Sequence, residues 1–587
     1  MFCKNPPPGR IGLPTLVLFF ALGHTCFGQC TFPDPGPGKR IKYLFEPIIS
    51  AGKTSMRITL EFQGAGDGEA ELEVPSDYAH QTDLGKAFTD LKALSQETTI
   101  SETASPSRKK VHFPPNTLVR ISYVLIKDWN GPLDSGTRFR PILEPSYFQL
   151  LADTALIKPV FKRTAMVDAQ FVWEHLPPGW SLATSFGTDE ACQHFHGLWH
   201  RVTTALFVGG DYRIYRRSVN EKPLNFAIRG KWRFTDEEWI SRVQEIIASE
   251  RTFWHDNDFP YYLVTLAPFD QEGGSTGGSA YTDSFMMHLS RNATLSYVTL
   301  SILAHETFHI WNPYKMGGGR GEALYWFQEG FTVYYTDRML FRAGMLSFPE
   351  YVERTNEKLR QYELSPAKNI SNRDLTARYE KETSLNQVPY ENGMMVAQWL
   401  DWHIRQHSGN RASLDTMMFE LVRYGKNPRF QLTNHGLLRI AGQYLTRNDR
   451  RLLRRFVEDG ETIPVPESVL GPCVHLETDA IPEFELGMDP EMLRGKNVVA
   501  NVKSGSEAFK AGLRDGQKII RTSVYWDDTS KLVKLTVRAA DGDHAFEYYP
   551  RGPLRNIPQF HLDPHYSPAS TPGCTTTLQP AAQETRK

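Results

Sequence analysis

The sequence predicts a multidomain α+β protein, and three observations carry that expectation. At 587 residues the chain is longer than one ordinary core accommodates. Its first part alternates apolar and polar residues, its middle carries long stretches of helical periodicity, and its last part returns to short strands with glycine-marked turns. The composition is that of a globular protein, 40% hydrophobic, 12% aromatic and 23% charged. A formal net charge of -1 leaves no basic excess for a nucleic-acid partner.

Residues 1–28 have the layout of a secretory signal peptide. Lys4 and Arg10 precede an apolar run from Ile11 to Leu22, and Cys26 and Gly28 occupy the −3 and −1 positions before the expected cut. That run is too short for a membrane span, and no later stretch reaches the roughly 18 apolar residues a transmembrane helix needs. The expectation is a secreted or periplasmic protein with no stable membrane span. Cleavage removes Cys3 and Cys26 and leaves Cys30, Cys192, Cys473 and Cys574, enough for one or two disulfides whose pairing the sequence does not fix.

Over residues 41–166, "SMRITLEFQG" and "LVRISYVLIKDW" alternate in the manner of half-buried strands, which predicts an N-terminal β-sandwich-like domain. Residues 167–462 mix strands with long helices. "TDEEWISRVQEIIASERTFWHD" opens on an N-cap, Thr235, with acidic residues in its first turn and an apolar stripe at helical spacing. "DFPYYLVTLAP" reads as a strand, and its Tyr261 to Leu266 portion as an edge able to pair with a substrate backbone. The glycine-rich "EGGSTGGSAY" follows. "ETIPVPESVLGP" reads as a linker, 484–549 as a small domain, and 550–587, rich in Pro, Thr and Gln, as a disordered tail.

The chemistry concentrates in "LAHETFHIWN", Leu303 to Asn312. Four residues advance a helix by about 400°, so His305 and His309 lie about 6 Å apart on one face, with Glu306 beside them. A catalytic zinc with two histidines needs one more protein ligand and an open position. "LYWFQEGFTVYY" supplies Glu329, in a second helix-compatible segment. Glu306, which is not a ligand in this scheme, is then placed as general base towards a zinc-activated water. "VPYENG" puts Tyr390 at the start of another helix, although the residues alone make it one of 24 tyrosines.

Together these segments resemble the glycyl aminopeptidase family of zinc peptidases, in the gluzincin group with aminopeptidase N and thermolysin. "IRQHSGNRASLD" resembles that family's following helix, and "VKSGSEAFKAGLRDGQKII" its C-terminal PDZ domain. The resemblance implies a thermolysin-like, mostly helical catalytic domain at 167–462 and a PDZ-like domain at 484–549. It further implies one Zn2+ per chain held by His305, His309 and Glu329, with Glu306 as base and acid and Tyr390 as oxyanion stabiliser. Relatives carry a "GGLEH" or "GAMEN" segment whose glutamate holds the substrate's α-amine. Here Ala280-Tyr281 stands at that place, and Glu272 and Asp283 are out of register. The expected function is an exported zinc metallopeptidase, aminopeptidase-like, acting on a peptide or protein, with the PDZ-like domain a structural cap or inter-domain spacer and a C-terminal peptide ligand there as the alternative. The alternatives are an endopeptidase and a catalytically inactive, zinc-bearing peptide-binding protein.

Overall fold

The computed structural model describes residues 39–578, apart from 80, 271–275, 319–323, 380, 428, 496, 527 and 540–541. The expected signal peptide lies outside the described residues. The described residues open on β1 (Lys39–Ser50) and β2 (Lys53–Gln63). Their alternation buries Ile41, Tyr43, Phe45, Met56, Ile58 and Leu60 on one side. Ala51 and Gly52, both at positive φ, form the two-residue turn that right-twisted hairpins require. With β3 (Phe88–Ala93), β4 (Leu118–Ile126), β5 (Met166–Trp173) and β6 (Cys192–Leu198) they form a six-stranded sheet in the order β6-β5-β1-β2-β4-β3.

This sheet corrects the expected domain boundary at 166. β5 pairs in parallel with β1, from Lys39 opposite Val167 to Phe45 opposite Trp173. Without it the β1 edge would be left open. A second sheet in the same unit takes in Leu206–Gly210, so the N-terminal β domain runs to about residue 210.

The next unit is built on β7 (Arg213–Val219), β8 (Lys222–Ile228), β9 (Leu263–Pro268), β10 (Thr276–Tyr281) and β11 (Ser284–Leu289), in the order β7-β8-β9-β11-β10. The stretch expected to offer an edge, Tyr261 to Leu266, is instead largely β9, central and buried along its whole length. Among the described residues, the sheet's edge beside the helices is the glycine-rich β10, whose strand partner is β11. On one sheet face Phe226, Val264 and Phe285 pack against Trp239 and Val243 of α1 (Asp236–Trp254) and Leu303 of α2 (Tyr297–Phe308). α1 starts as expected, in a capping box: Glu238 N donates to Thr235 Oγ1 at 3.2 Å, and Thr235 N to Glu238 Oε2 at 2.6 Å. The other face packs on Leu133, Ile142 and Val208 of the N-terminal domain.

α3 (Tyr325–Arg342), α4 (Val388–Ser408) and α5 (Leu414–Gly425) complete the helical part. Buried Asp401 of α4 ties them together: it accepts from Tyr334 at 2.8 Å, from Arg338 and Arg405 at 3.0 Å, and from the Leu414 backbone at 2.8 Å. A buried carboxylate shared among that many donors is stable only while all of them stay in place, so the three helices hold one arrangement.

β12 (Val474–Phe484) leads into a small domain with its own core of Leu486, Val499, Leu513 and Val537 and a sheet of β13 (Lys518–Ser523), β14 (Val533–Ala539) and β15 (Gly542–Tyr548). The stretch expected to be a disordered tail is ordered across 551–578. β16 (Arg551–Leu562) pairs antiparallel with β12 and returns to the helical domain, where Phe560 exchanges hydrogen bonds of 2.8 and 2.7 Å with the Asn356 side chain. A Cys473–Cys574 disulfide closes the segment, and Arg342 donates to Leu578 O at 2.7 Å. Composition misled because cross-strand pairing and a cross-link supply what sparse hydrophobicity does not. Cys192 is also disulfide-bonded. No helix among the described residues is long and apolar enough to cross a membrane.

Candidate active site

His305 and Glu306 lie in the last turn of α2, and His309 caps its C-terminus. Glu329 lies in the second turn of α3, which packs across α2. The sequence-predicted donors converge. His305 Nε2 lies 3.1 Å from His309 Nε2 and 3.2 Å from Glu329 Oε2, and His309 Nε2 lies 3.4 Å from the same oxygen. Tetrahedral zinc with bonds of about 2.0–2.2 Å sets its ligand atoms roughly 3.3–3.6 Å apart. Two imidazole nitrogens and a carboxylate oxygen facing one point at those separations fit a zinc ion. Side-chain exposures of 14%, 11% and 18% leave the three largely desolvated yet open on one side.

A neighbouring group fixes the orientation of His309. Its Nδ1–H donates to the Asn312 carbonyl at 2.8 Å, so Nε2 is the nitrogen that bears the lone pair once the ring is neutral. Asn312 is itself anchored, its Nδ2 donating to Phe327 O at 3.2 Å and Thr332 Oγ1 at 3.2 Å. The segment after the second histidine is thereby tied to the helix that carries Glu329. Spacing arguments passed over Asn312, although "HIWN" contains it.

Charge follows from this geometry. Burial pushes the His309 pKa down, but the Glu329 carboxylate outweighs it and carries the pKa up to about 9. Glu329 is pushed up by burial, yet His309 and His305 hold it well below the usual carboxylate range. A metal must displace the His309 proton. Apparent metal affinity should therefore fall about tenfold for each pH unit below about 9, with release of a proton on binding. Calorimetric titration in two buffers of different ionisation enthalpy checks this; binding with no proton uptake or release near pH 7 would refute it. In the metal-free protein the same raised pKa contributes stability that is fully present below 6.5 and is lost as pH rises through about 9.

Tyr390, in the first turn of α4, stacks on the His305 ring with centroids 5.8 Å apart. Burial first, then the charges of Glu329 and Glu306 and a hydrogen bond with Glu329, raise its pKa, so the phenol stays protonated. Glu306 is half-buried, and its charge also acts on Arg138, which enters from the N-terminal domain.

Two glycines bring α3 and α4 close enough for this meeting, and the sequence reading had assigned them no role. A Cβ on Gly393 would lie 1.7 Å from Trp326 O, and one on Gly330 would lie 2.2 Å from Gly393 Cα. Backbone meets backbone where Glu329 and Tyr390 are carried.

Of the two carboxylates noted near the glycine-rich segment, Glu272 lies outside the described residues. Asp283 sits in the β10–β11 turn and is ion-paired with Arg201. Two other groups of metal-capable side chains occur among the described residues, His403–His407–Asp449 and Glu477–Asp479–His561. In the first, Asp449 Oδ2 accepts from His407 Nε2 at 2.8 Å and from the hydroxyl of the N-cap residue Thr446 at 2.5 Å, which accounts for the group as an ion pair. The second spans neighbouring strands β12 and β16, where opposite charges commonly pair.

Residues 298–412 match the family model of the M61 glycyl aminopeptidases. Among solved structures, the chain is similar to an aminopeptidase N family protein from Idiomarina loihiensis, with 17% identity, a TM-score of 0.68, and coverage of 92% of this chain and 100% of that one. That likeness shows the fold. An M1 zinc metallopeptidase from Deinococcus radiodurans is more distant, with 14% identity, a TM-score of 0.49, and coverage of 73% of this chain and 96% of that one. No curated protein matches the chain by sequence. The matched segment contains His305, Glu306, His309, Glu329 and Tyr390. The chain therefore carries a segment similar to a peptidase domain, and that segment holds the three converging donors.

Proposed function

We propose that His305, His309 and Glu329 hold the zinc, that Glu306 is the general base and acid, and that Tyr390 stabilises the oxyanion, in a peptidase with an aminopeptidase-like cleft. The observation that carries this reading is the convergence of the three donor atoms, all within 4.8 Å of one another, beside a glutamate that is not one of them. When bound, zinc supplies Lewis acidity, lowering the pKa of a water towards about 7 and polarising a carbonyl. Glu306 accepts the proton as the oxygen attacks the carbonyl carbon, and returns it to the amine nitrogen as the C–N bond breaks. The protonated Tyr390 phenol donates to the oxygen that gains negative charge. Among the described residues, β10 is a strand edge along which an extended peptide can pair.

A second reading, endopeptidase, is favoured by a specific feature of that edge. Among its described residues β10, Thr276–Tyr281, carries no carboxylate, and Asp283 is committed to Arg201. No described group on the strand holds a free α-amine. We also propose export, which the leader's layout and the Cys473–Cys574 disulfide support. The small C-terminal domain is proposed as PDZ-like, with a C-terminal peptide as its ligand, on the resemblance of Val502 to Ile520.

Zinc-loaded protein incubated with matched peptides, N-terminally free or acetylated, tests the reading by mass spectrometry of the products. Cleavage that a chelator abolishes and zinc restores is expected. Release of first residues from free peptides alone supports the aminopeptidase; internal cleavage indifferent to acetylation supports the endopeptidase. Absence of any cleavage by zinc-loaded protein would overturn both.

A further inference from the structure

Close to Glu306 lies a cation that the peptidase scheme does not use. Arg138 belongs to the loop between β4 and the strand Ile142–Glu144, and its side chain reaches the edge strand β10. The guanidinium lies directly on Gly277, where a Cβ would come within 1.7 Å of Arg138 Nη1, and Nη2 donates to Gly278 O at 3.4 Å. Gly278 presents its other side to α2, where a Cβ would meet Ile302 Cγ2 at 2.8 Å. Ile302 is three residues before His305. The glycines of this strand thus admit an arginine on one face and the catalytic helix on the other.

The loop that delivers Arg138 is held in place. Leu133 N donates to Asp270 Oδ2 at 2.7 Å, Asp270 N donates back to Leu133 O at 2.9 Å, Asp134 Oδ1 accepts from the Thr137 backbone at 2.9 Å, and Arg140 is ion-paired with Asp128. A preorganised cation loses little freedom when it binds.

Among the described residues no carboxylate lies within ion-pair distance of Arg138, and its Nε is buried with no hydrogen-bond partner. Among the described residues the ionised group that acts on it is Glu306, with the Tyr281 and Tyr78 phenols nearby. His288, opposite Gly277 on β11, brings no charge: burial, then Arg138 and Arg229, push its pKa down to about 3. A guanidinium that is mostly desolvated and has donors to spare is costly unless something charged completes it. A peptide ammonium beside it would be repelled. A carboxylate would be held by charge-assisted, potentially bidentate hydrogen bonds.

We propose that Arg138 forms a carboxylate-binding subsite of the cleft, so that the enzyme favours peptides carrying a carboxylate close to the scissile bond. The proposal rests on the peptidase reading and on His305, Glu306 and Glu329 marking the reaction centre. The carboxylate comes either from an acidic side chain or from the peptide's own C-terminus, and both have the chemistry Arg138 recognises.

Peptide pairs that differ only by Glu for Gln at each position flanking the cut, and pairs that differ only by a C-terminal acid for an amide, separate the two sources. Each pair is assayed as a kcat/KM ratio with zinc-loaded wild type, Arg138→Gln and Arg138→Lys. A hydrogen-bonded charge pair predicts a wild-type preference of about tenfold to a hundredfold for the acid member at one position, collapsing to about twofold or less in Arg138→Gln. Arg138→Lys retains the cation but not the planar fork, so it should keep part of the preference. That variant and melting curves for both guard against misfolding. No preference for an acid member anywhere, or a preference unchanged in Arg138→Gln, would overturn the subsite. Should no peptide be cleaved, the peptidase reading fails, and the same pairs are titrated into wild type and Arg138→Gln: acid-selective binding that requires Arg138 upholds the subsite, and its absence removes that too.

Discussion

Glu306→Gln should lower kcat by about a hundredfold to ten-thousandfold, the range general-base catalysis contributes. Glutamine preserves the shape of the side chain but cannot take up a proton. Glu306 is not among the three converging donors, so metal content should remain at one zinc per chain. It lies at the end of α2 and is half-buried. The melting temperature should accordingly stay within a few degrees, because substitutions outside the named destabilising mechanisms cost little. Kinetics, metal analysis and thermal melting on the same sample check all three. Activity within about tenfold of wild type, with zinc bound, would remove Glu306 from the proposed mechanism.

Gly393→Ala should damage the site from a distance. The added Cβ would lie 1.7 Å from Trp326 O and 2.8 Å from Gly330 Cα, whereas a carbon–oxygen contact ordinarily sits near 3.3–3.6 Å. Neither obstacle is a flexible side chain, so α3 and α4 must move apart. Overpacking of this kind costs about 1–3 kcal/mol, and backbone-on-backbone contact places this case at the upper end. Tyr390 lies one turn from Gly393 on α4, and Glu329 immediately precedes Gly330 on α3. Their separation shifts both, and a misplacement of about 1 Å can cost a hundredfold in rate. Urea unfolding and the kcat of the folded variant should both show the loss. A variant as stable and active as wild type would mean that the close crossing is not what sets the site.

The histidine pair and its glutamates were legible because helical geometry converts sequence spacing into position: residues four apart must share a face. Glu329 was legible through chemistry, since two histidines call for a third ligand. Gly330 and Gly393 were visible as letters, but their reason is the contact between two helices whose intervening chain runs from Arg342 to Val388, which no local pattern encodes. Arg138 was out of reach for the same reason, being 140 residues from the strand it touches. The N-terminal domain boundary failed at 166 because β5, with its run of buried residues, does not announce that its partner is β1. The ordered segment beyond 550 was hidden by its proline and threonine content, although its pairing with β12 and the Cys473–Cys574 bond hold it. The edge strand was misplaced because β9 and β10 follow one another in sequence while β11 inserts between them in the sheet.

Anomalous diffraction or zinc-edge absorption on zinc-loaded protein tests the central claim most directly. The account predicts one zinc, about 2.0–2.2 Å from His305 Nε2, His309 Nε2 and a Glu329 oxygen, with a further position open to solvent or substrate. Zinc bound instead at His403, His407 and Asp449, or a fourth protein ligand closing the first site, would contradict it.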